Sequence, residues 1–90
     1  MKTIWKFEIS LLEDTYVELP LGSTFLHGVV QNGIPCVWYR VDTMLPPVKE
    51  RLYLCGTGCP LPEDAGRYLC TFQLHAGKLV LHLFEEAPKC

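Results

Sequence analysis

The sequence predicts an all-β fold: a small antiparallel β-sandwich or a partly open barrel of about six or seven strands. Three observations carry that prediction. Apolar and polar residues alternate with period two through most of the chain. An Asn32-Gly33 pair separates two alternating arms. No amphipathic helix of useful length is present.

The elements follow in order. Thr3, Trp5, Phe7 and Ile9 share one side of a first strand, and Lys2, Ile4, Lys6 and Glu8 share the other. The segment Leu11-Leu12-Glu13-Asp14 is long enough for a single turn. Thr15 to Leu19 reads as a short strand with Val17 and Leu19 inward, stopped by Pro20-Leu21-Gly22-Ser23. Phe25 to Gln31 and Ile34 to Asp42 flank Asn32-Gly33, a pair that adopts positive φ cheaply and so favours a type I′ hairpin. In the second arm Val37, Tyr39 and Val41 share one face, while Cys36, Trp38 and Arg40 share the other. Thr43 to Val48, with Pro46-Pro47, is expected to be a loop. Glu50 to Cys55 is expected to be a strand with Leu52 and Leu54 inward. Gly56 to Gly66 reads as an irregular loop. Arg67 to His75 and Lys78 to Glu85 form a second expected hairpin across Ala76-Gly77. Tyr68, Cys70, Phe72 and Leu74 alternate on one face of the first arm, and Leu79, Leu81 and Leu83 on one face of the return arm. Residues 86–90 form a polar tail, kept out of the sheet by Pro88.

Ninety residues make a single domain, 1–90, and the 49% apolar fraction suits a packed core. The net charge of −2 argues against extended nucleic-acid binding, which needs a basic face to displace counterions. No apolar run approaches the length of a membrane span, and the alternating N-terminus is unlike a signal peptide. The five cysteines, an odd number without an export signal, predict reduced thiols and a cytoplasmic location.

The most unusual stretch is Cys55-Gly56-Thr57-Gly58-Cys59-Pro60-Leu61-Pro62. Its glycines, with Thr57 between them, can present successive N–H groups to an anion, and Arg51 and Arg67 flank the loop as phosphate or carboxylate partners. The alternative is a strand-ending bulge and rigid connector. The spacing and the Lys-Ser/Thr ending of a P-loop are missing. Cys55 and Cys59 have zinc-ligand spacing, but the second pair that a structural zinc site requires is absent. No cofactor or metal is therefore expected. The acidic pairs Glu13-Asp14, Glu63-Asp64 and Glu85-Glu86 lie in or beside turns and read as solvated charge. If Val37, Tyr39 and Val41 face the core, Trp38 lies outside beside Arg40, and an exposed Trp–Arg pair is typical of an interaction hot spot.

The chain also carries Met1-Lys2-Thr3-Ile4-Trp5-Lys6-Phe7-Glu8-Ile9, Glu18-Leu19-Pro20-Leu21-Gly22, Gln31 to Trp38 and Gly56-Thr57-Gly58. Toward its end come Gly66-Arg67-Tyr68, Thr71 to His75 and Leu79 to Glu85. Across these segments, nearly its whole length, it resembles a family of short phage and prophage proteins of unknown function. Such relatives more often carry His where Cys59 stands. The resemblance implies origin and fold rather than chemistry.

Three functions are weighed. The first is a non-enzymatic phage or prophage accessory protein that binds a host protein, with a defence component as one target class. Its interface would use Trp38 and Arg40, or the glycine loop. The second is a small-molecule sponge for a nucleotide signal, held by Gly56, Thr57 and Gly58 with Arg51 or Arg67. The third is a virion or assembly component. A homodimer through strand edges is compatible with all three.

Overall fold

The computed structural model describes residues 1–12 and 14–88. Its strands are β1 (Lys2–Glu8), β2 (Thr15–Pro20), β3 (Thr24–Gln31), β4 (Ile34–Asp42), β5 (Pro47–Gly56), β6 (Ala65–Leu74) and β7 (Leu79–Glu86). They form two antiparallel sheets, one ordered β1-β4-β3 and the other β2-β5-β7-β6. The sheets pack as a sandwich and do not close, which decides between the two architectures the sequence left open. No helix of the described residues is long and apolar enough to cross a membrane.

The first hairpin forms as its sequence dictates. Asn32 and Gly33 take φ of 53° and 79°, and the arms pair from Gln31↔Ile34 onward. The second hairpin turns differently from its expectation. His75, Ala76 and Gly77 all have positive φ, and the last strand pair is Leu74↔Leu79, so the turn takes four residues rather than two. The N–H of Gly77 donates to Leu74 O, and that of Lys78 to His75 O. Left-handed backbone at two non-glycine residues is disfavoured, so strand pairing on both sides must hold it.

Two other boundaries move. β5 starts at Pro47, paired with Pro20, rather than at Glu50. Neither proline has an N–H to donate, so that pair fits only at strand ends, where both lie. β7 runs one residue into the expected tail, and Ala87 N–H donates to Asp64 O. Leu11 and Leu12 form a bend; the expected turn there includes Glu13, which lies outside the described residues, as do Lys89 and Cys90 of the tail.

The core is Ile9, Val17, Leu19, Val37, Tyr39, Val41, Leu52, Phe72, Leu74 and Leu83. Each fully buried Leu or Phe among these contributes roughly 1.5–3 kcal/mol relative to exposure. The Tyr39 ring receives Phe7 and Phe25 edge-on, at centroid distances of 6.1 and 5.5 Å. Tyr68 does not share the face of Cys70, Phe72 and Leu74 that the alternation predicts. The pairs Tyr68↔Phe84 and Cys70↔Leu83 advance two residues on β6 for one on β7. This bulge at Leu69 reverses side-chain parity, so Cys70 points in while Tyr68 points out and is 53% exposed. Where β3 crosses β6, Gly28 meets Cys70. A methyl group at Gly28 would lie 2.3 Å from Cys70 Sγ.

Candidate binding site

The outer face of the β1-β4-β3 sheet can be read from its register. Ile4, Arg40 and Thr24 form one row; Lys6, Trp38 and His27 form the next; Glu8, Cys36 and Val29 form a third. Burial of Val37, Tyr39 and Val41 puts Trp38 and Arg40 on the opposite side, Trp38 half-buried and Arg40 exposed. Cys36 shares their parity, yet it is buried, with its thiol donating to Ile34 O at 3.3 Å.

A second bulge shapes this face. Phe25 pairs with Tyr39 and His27 with Trp38, leaving Leu26 as an extra residue. Residues 25 and 27 would otherwise point the same way. The bulge lets Phe25 enter the core while His27 lies outside against Trp38, ring centroids 6.2 Å apart. Lys6 reaches over the same indole, its Nζ 5.7 Å from the ring centre and bonded to Gln31 Oε1. Leu26 itself is 46% exposed and Ile4 59%. With Lys2, Thr3 and Arg40 they line a shallow recess of about 480 Å³.

Arg51 binds Asp14 at 3.1 Å, and Arg67 binds Glu85 at 3.1 Å. Among the described residues Lys2, Lys6, Arg40, Lys49 and Lys78 have no ion-pair partner; Asp42, opposite Lys2, pairs with the Met1 amine at 3.6 Å.

The glycine loop lies on the other sheet. Cys59 N–H donates to Gly56 O at 3.0 Å, and Gly58 has φ of 84° at the third position, as a type II turn requires. One N–H of the imagined anion cradle is thereby used within the turn. The buried Cys55 thiol donates toward the carbonyls of Gly56, Cys59 and Pro60 and so holds the loop to its strand. The turn gathers a histidine rather than the two arginines. Thr57 Oγ1 lies 2.7 Å from His82 Nε2, His82 Nδ1 lies 2.9 Å from Thr71 Oγ1, and Thr71 Oγ1 lies 2.6 Å from the Tyr68 hydroxyl. Arg51 precedes Gly56 by five residues of strand, roughly 17 Å at about 3.3 Å per residue. Its guanidinium donates to the Tyr16 hydroxyl and stacks between the Tyr16 and Tyr53 rings, at 5.1 and 4.6 Å. Arg67 sits near that same end, by Glu85.

The residues singled out from sequence therefore fall into separate places. Trp38 and Arg40 share one outer face. Gly56, Thr57 and Gly58 close β5 on the other sheet, with Arg51 and Arg67 remote from them. Among the described residues no three metal-ligating side chains gather, and Cys55 and Cys59 stand without a second pair.

Sequence reasoning passed over Lys2, Ile4, Lys6, Leu26 and His27. The first three were legible as the outward set of the opening alternation, whereas Leu26 and His27 depend on a bulge that has no marker in the chain. It also missed Glu50, which shares inward parity with Leu52. Burial, then the nearby Glu85, raises the Glu50 carboxyl above its ordinary range. Burial also raises the Tyr39 phenol, with Glu50 and Glu85 adding to the effect.

No curated protein and no solved structure matches this chain. A family model does, over residues 1–89, under the description "Domain of unknown function (DUF7352)". With almost every residue of the chain inside that match, the protein belongs to the DUF7352 family.

Proposed function

We propose that the domain is a non-enzymatic binding module that docks a protein partner through the outer face of the β1-β4-β3 sheet. The observation that carries this reading is the composition of that face. Ile4, Leu26 and Val29 stand exposed around the half-buried Trp38, bordered by Glu8 and by Lys2, Lys6 and Arg40, which have no ion-pair partner among the described residues. An aromatic anchor in an apolar patch with a polar rim is the usual anatomy of a protein interface. The likeness to short phage and prophage chains supports a partner in a bacterial host, and a component of antiviral defence is the target class it favours. The nucleotide-sponge reading has weaker support, because Arg51 and Arg67 are held in ion pairs away from the glycine turn.

Affinity capture from bacterial lysate tests the proposal, comparing the wild type with Trp38→Ala at matched fold content by circular dichroism. The expected result is a specific protein held by the wild type and lost with the variant. Recovery of the same set by both proteins, or of no specific protein, refutes it.

A further inference from the structure

We infer that the partner presents an acidic, amphipathic segment, whose carboxylates meet Lys2, Lys6 and Arg40 while one of its apolar side chains enters the recess between Ile4 and Leu26. The inference rests on the proposed use of this face and adds the chemistry of what covers it.

The argument begins with charge. The protein is net negative, at −2. Within the described residues five cations have no ion-pair partner: Lys49 on β5 and Lys78 at the β6–β7 turn, and Lys2, Lys6 and Arg40, which gather on one face of the three-stranded sheet. On that face Lys2, Lys6 and Arg40 outnumber the carboxylates Glu8 and Asp42, although the protein as a whole is net negative. A local excess of cations steers an anionic partner and sets its register.

Shape selects among anions. Lys2 and Lys6 lie on the edge strand β1 with Ile4 between them, and Arg40 is opposite Ile4 on β4. The cations thus surround an aliphatic side chain that is 59% exposed. The recess of about 480 Å³ is walled by that side chain and by Leu26, with Lys2 and Arg40 at its rim. A bare phosphate or carboxylate would leave the aliphatic wall wet. A segment placing carboxylates on either side of a Leu, Ile or Phe satisfies both the wall and the rim.

Single-stranded nucleic acid fits less well. It needs successive exposed aromatic faces on which bases stack. Here the central indole is half-buried, flanked by His27 and crossed by Lys6. The exposed apolar groups around it, Ile4, Leu26 and Val29, are aliphatic.

The test is selection from a random peptide library displayed on yeast, with the immobilised wild-type protein as bait and oligothymidylate as a separate ligand in solution. The expected consensus sets Asp or Glu beside an apolar residue. Peptides so recovered should lose roughly fivefold in affinity on Arg40→Ala, the size of one rim ion pair, and more on combined Lys2→Ala, Lys6→Ala and Arg40→Ala. They should also weaken as salt is raised. Ile4→Ser, a change at an exposed position, should weaken them without altering the salt dependence. A neutral or basic consensus, no enrichment, or tighter binding of oligothymidylate than of any peptide overturns the inference. Each of these results leaves the capture experiment with Trp38→Ala to be judged separately. A host partner lost on Trp38→Ala but insensitive to Arg40→Ala would keep the docking face and discard the acidic segment.

Discussion

Gly28→Ala is the sharpest test of how the two sheets are joined. β3 lies over β6, and a Cβ at residue 28 would meet Cys70 Sγ at 2.3 Å, Cys70 Cβ at 3.3 Å and Phe72 Cζ at 3.3 Å. Favourable carbon contacts lie at about 3.5–4.0 Å, so the sulfur must retreat by more than 1 Å. Rotating the Cys70 side chain is the obvious escape, but Cys70 Cβ and Phe72 Cζ remain too close after it. Phe72 is itself 1% exposed and has nowhere to go. Overpacking of this kind typically costs about 1–3 kcal/mol. Set against it, Ala in a strand gains roughly 0.5–1 kcal/mol over Gly in backbone entropy, and Gly28 is not among the glycines with positive φ. The net expectation is a loss centred on about 1 kcal/mol, or roughly 4–8 °C in Tm for a domain of this size. Urea titration followed by tryptophan fluorescence measures it. The decisive variant is Gly28→Ala with Cys70→Ala, where the new methyl occupies space the sulfur has vacated. The double variant should be more stable than the sum of the singles predicts, by about 1 kcal/mol or more. A neutral Gly28→Ala, or strict additivity in the cycle, would refute the reasoning.

Two further expectations concern titrating groups. Glu50 has a raised folded-state pKa, so the folded chain holds that proton more tightly than the unfolded chain. Its favourable contribution is full below the ordinary carboxyl pKa and is lost as pH rises through the raised one. Glu50→Gln should therefore gain stability relative to wild type at pH 7 and not at pH 4, by roughly 0.5 kcal/mol because solvent screens the half-buried group; urea midpoints at both pH values check it, and an equal effect at the two refutes it. Among the thiols, Cys59 is exposed, whereas burial pushes Cys70 up to about 11. Iodoacetamide at pH 8 with peptide mapping should modify Cys59 well before Cys70, and equal rates would contradict the placement of Cys70 between the sheets.

Local chemistry made much of this fold legible. The Asn32-Gly33 turn needs no tertiary help, and the period-two pattern from Ile34 to Asp42 separated Val37, Tyr39 and Val41 from Trp38 and Arg40, leaving to the fold which of the two sets is buried. What stayed hidden is non-local. Bulges at Leu26 and Leu69 each insert one residue and reverse the parity of what precedes them, and neither position carries a glycine or proline to mark it. The start of β5 was hidden for a different reason. Pro46-Pro47 is a loop signal by composition, but Pro47 needs only a partner that does not require its N–H, and the partner is Pro20. That fact resides in the pairing of two distant segments.

Parity also explains why the glycine loop is conspicuous in the sequence. Cys55-Gly56-Thr57-Gly58-Cys59 is conspicuous in the chain because it interrupts alternation, and interruptions are where ligand loops often lie. In the folded chain the same residues carry out structural work. Gly58 supplies a positive φ, Cys59 N–H closes the turn, and Cys55 anchors its carbonyls. The cations that would have made it an anion site point elsewhere, Arg51 to Asp14 and Arg67 to Glu85. The face around Trp38 has the opposite character. Its residues are ordinary members of regular strands, inconspicuous one by one, and the strand register assembles Ile4, Arg40, Lys6 and Trp38 from positions more than thirty residues apart in sequence. A site of that kind has no motif, only parity and register.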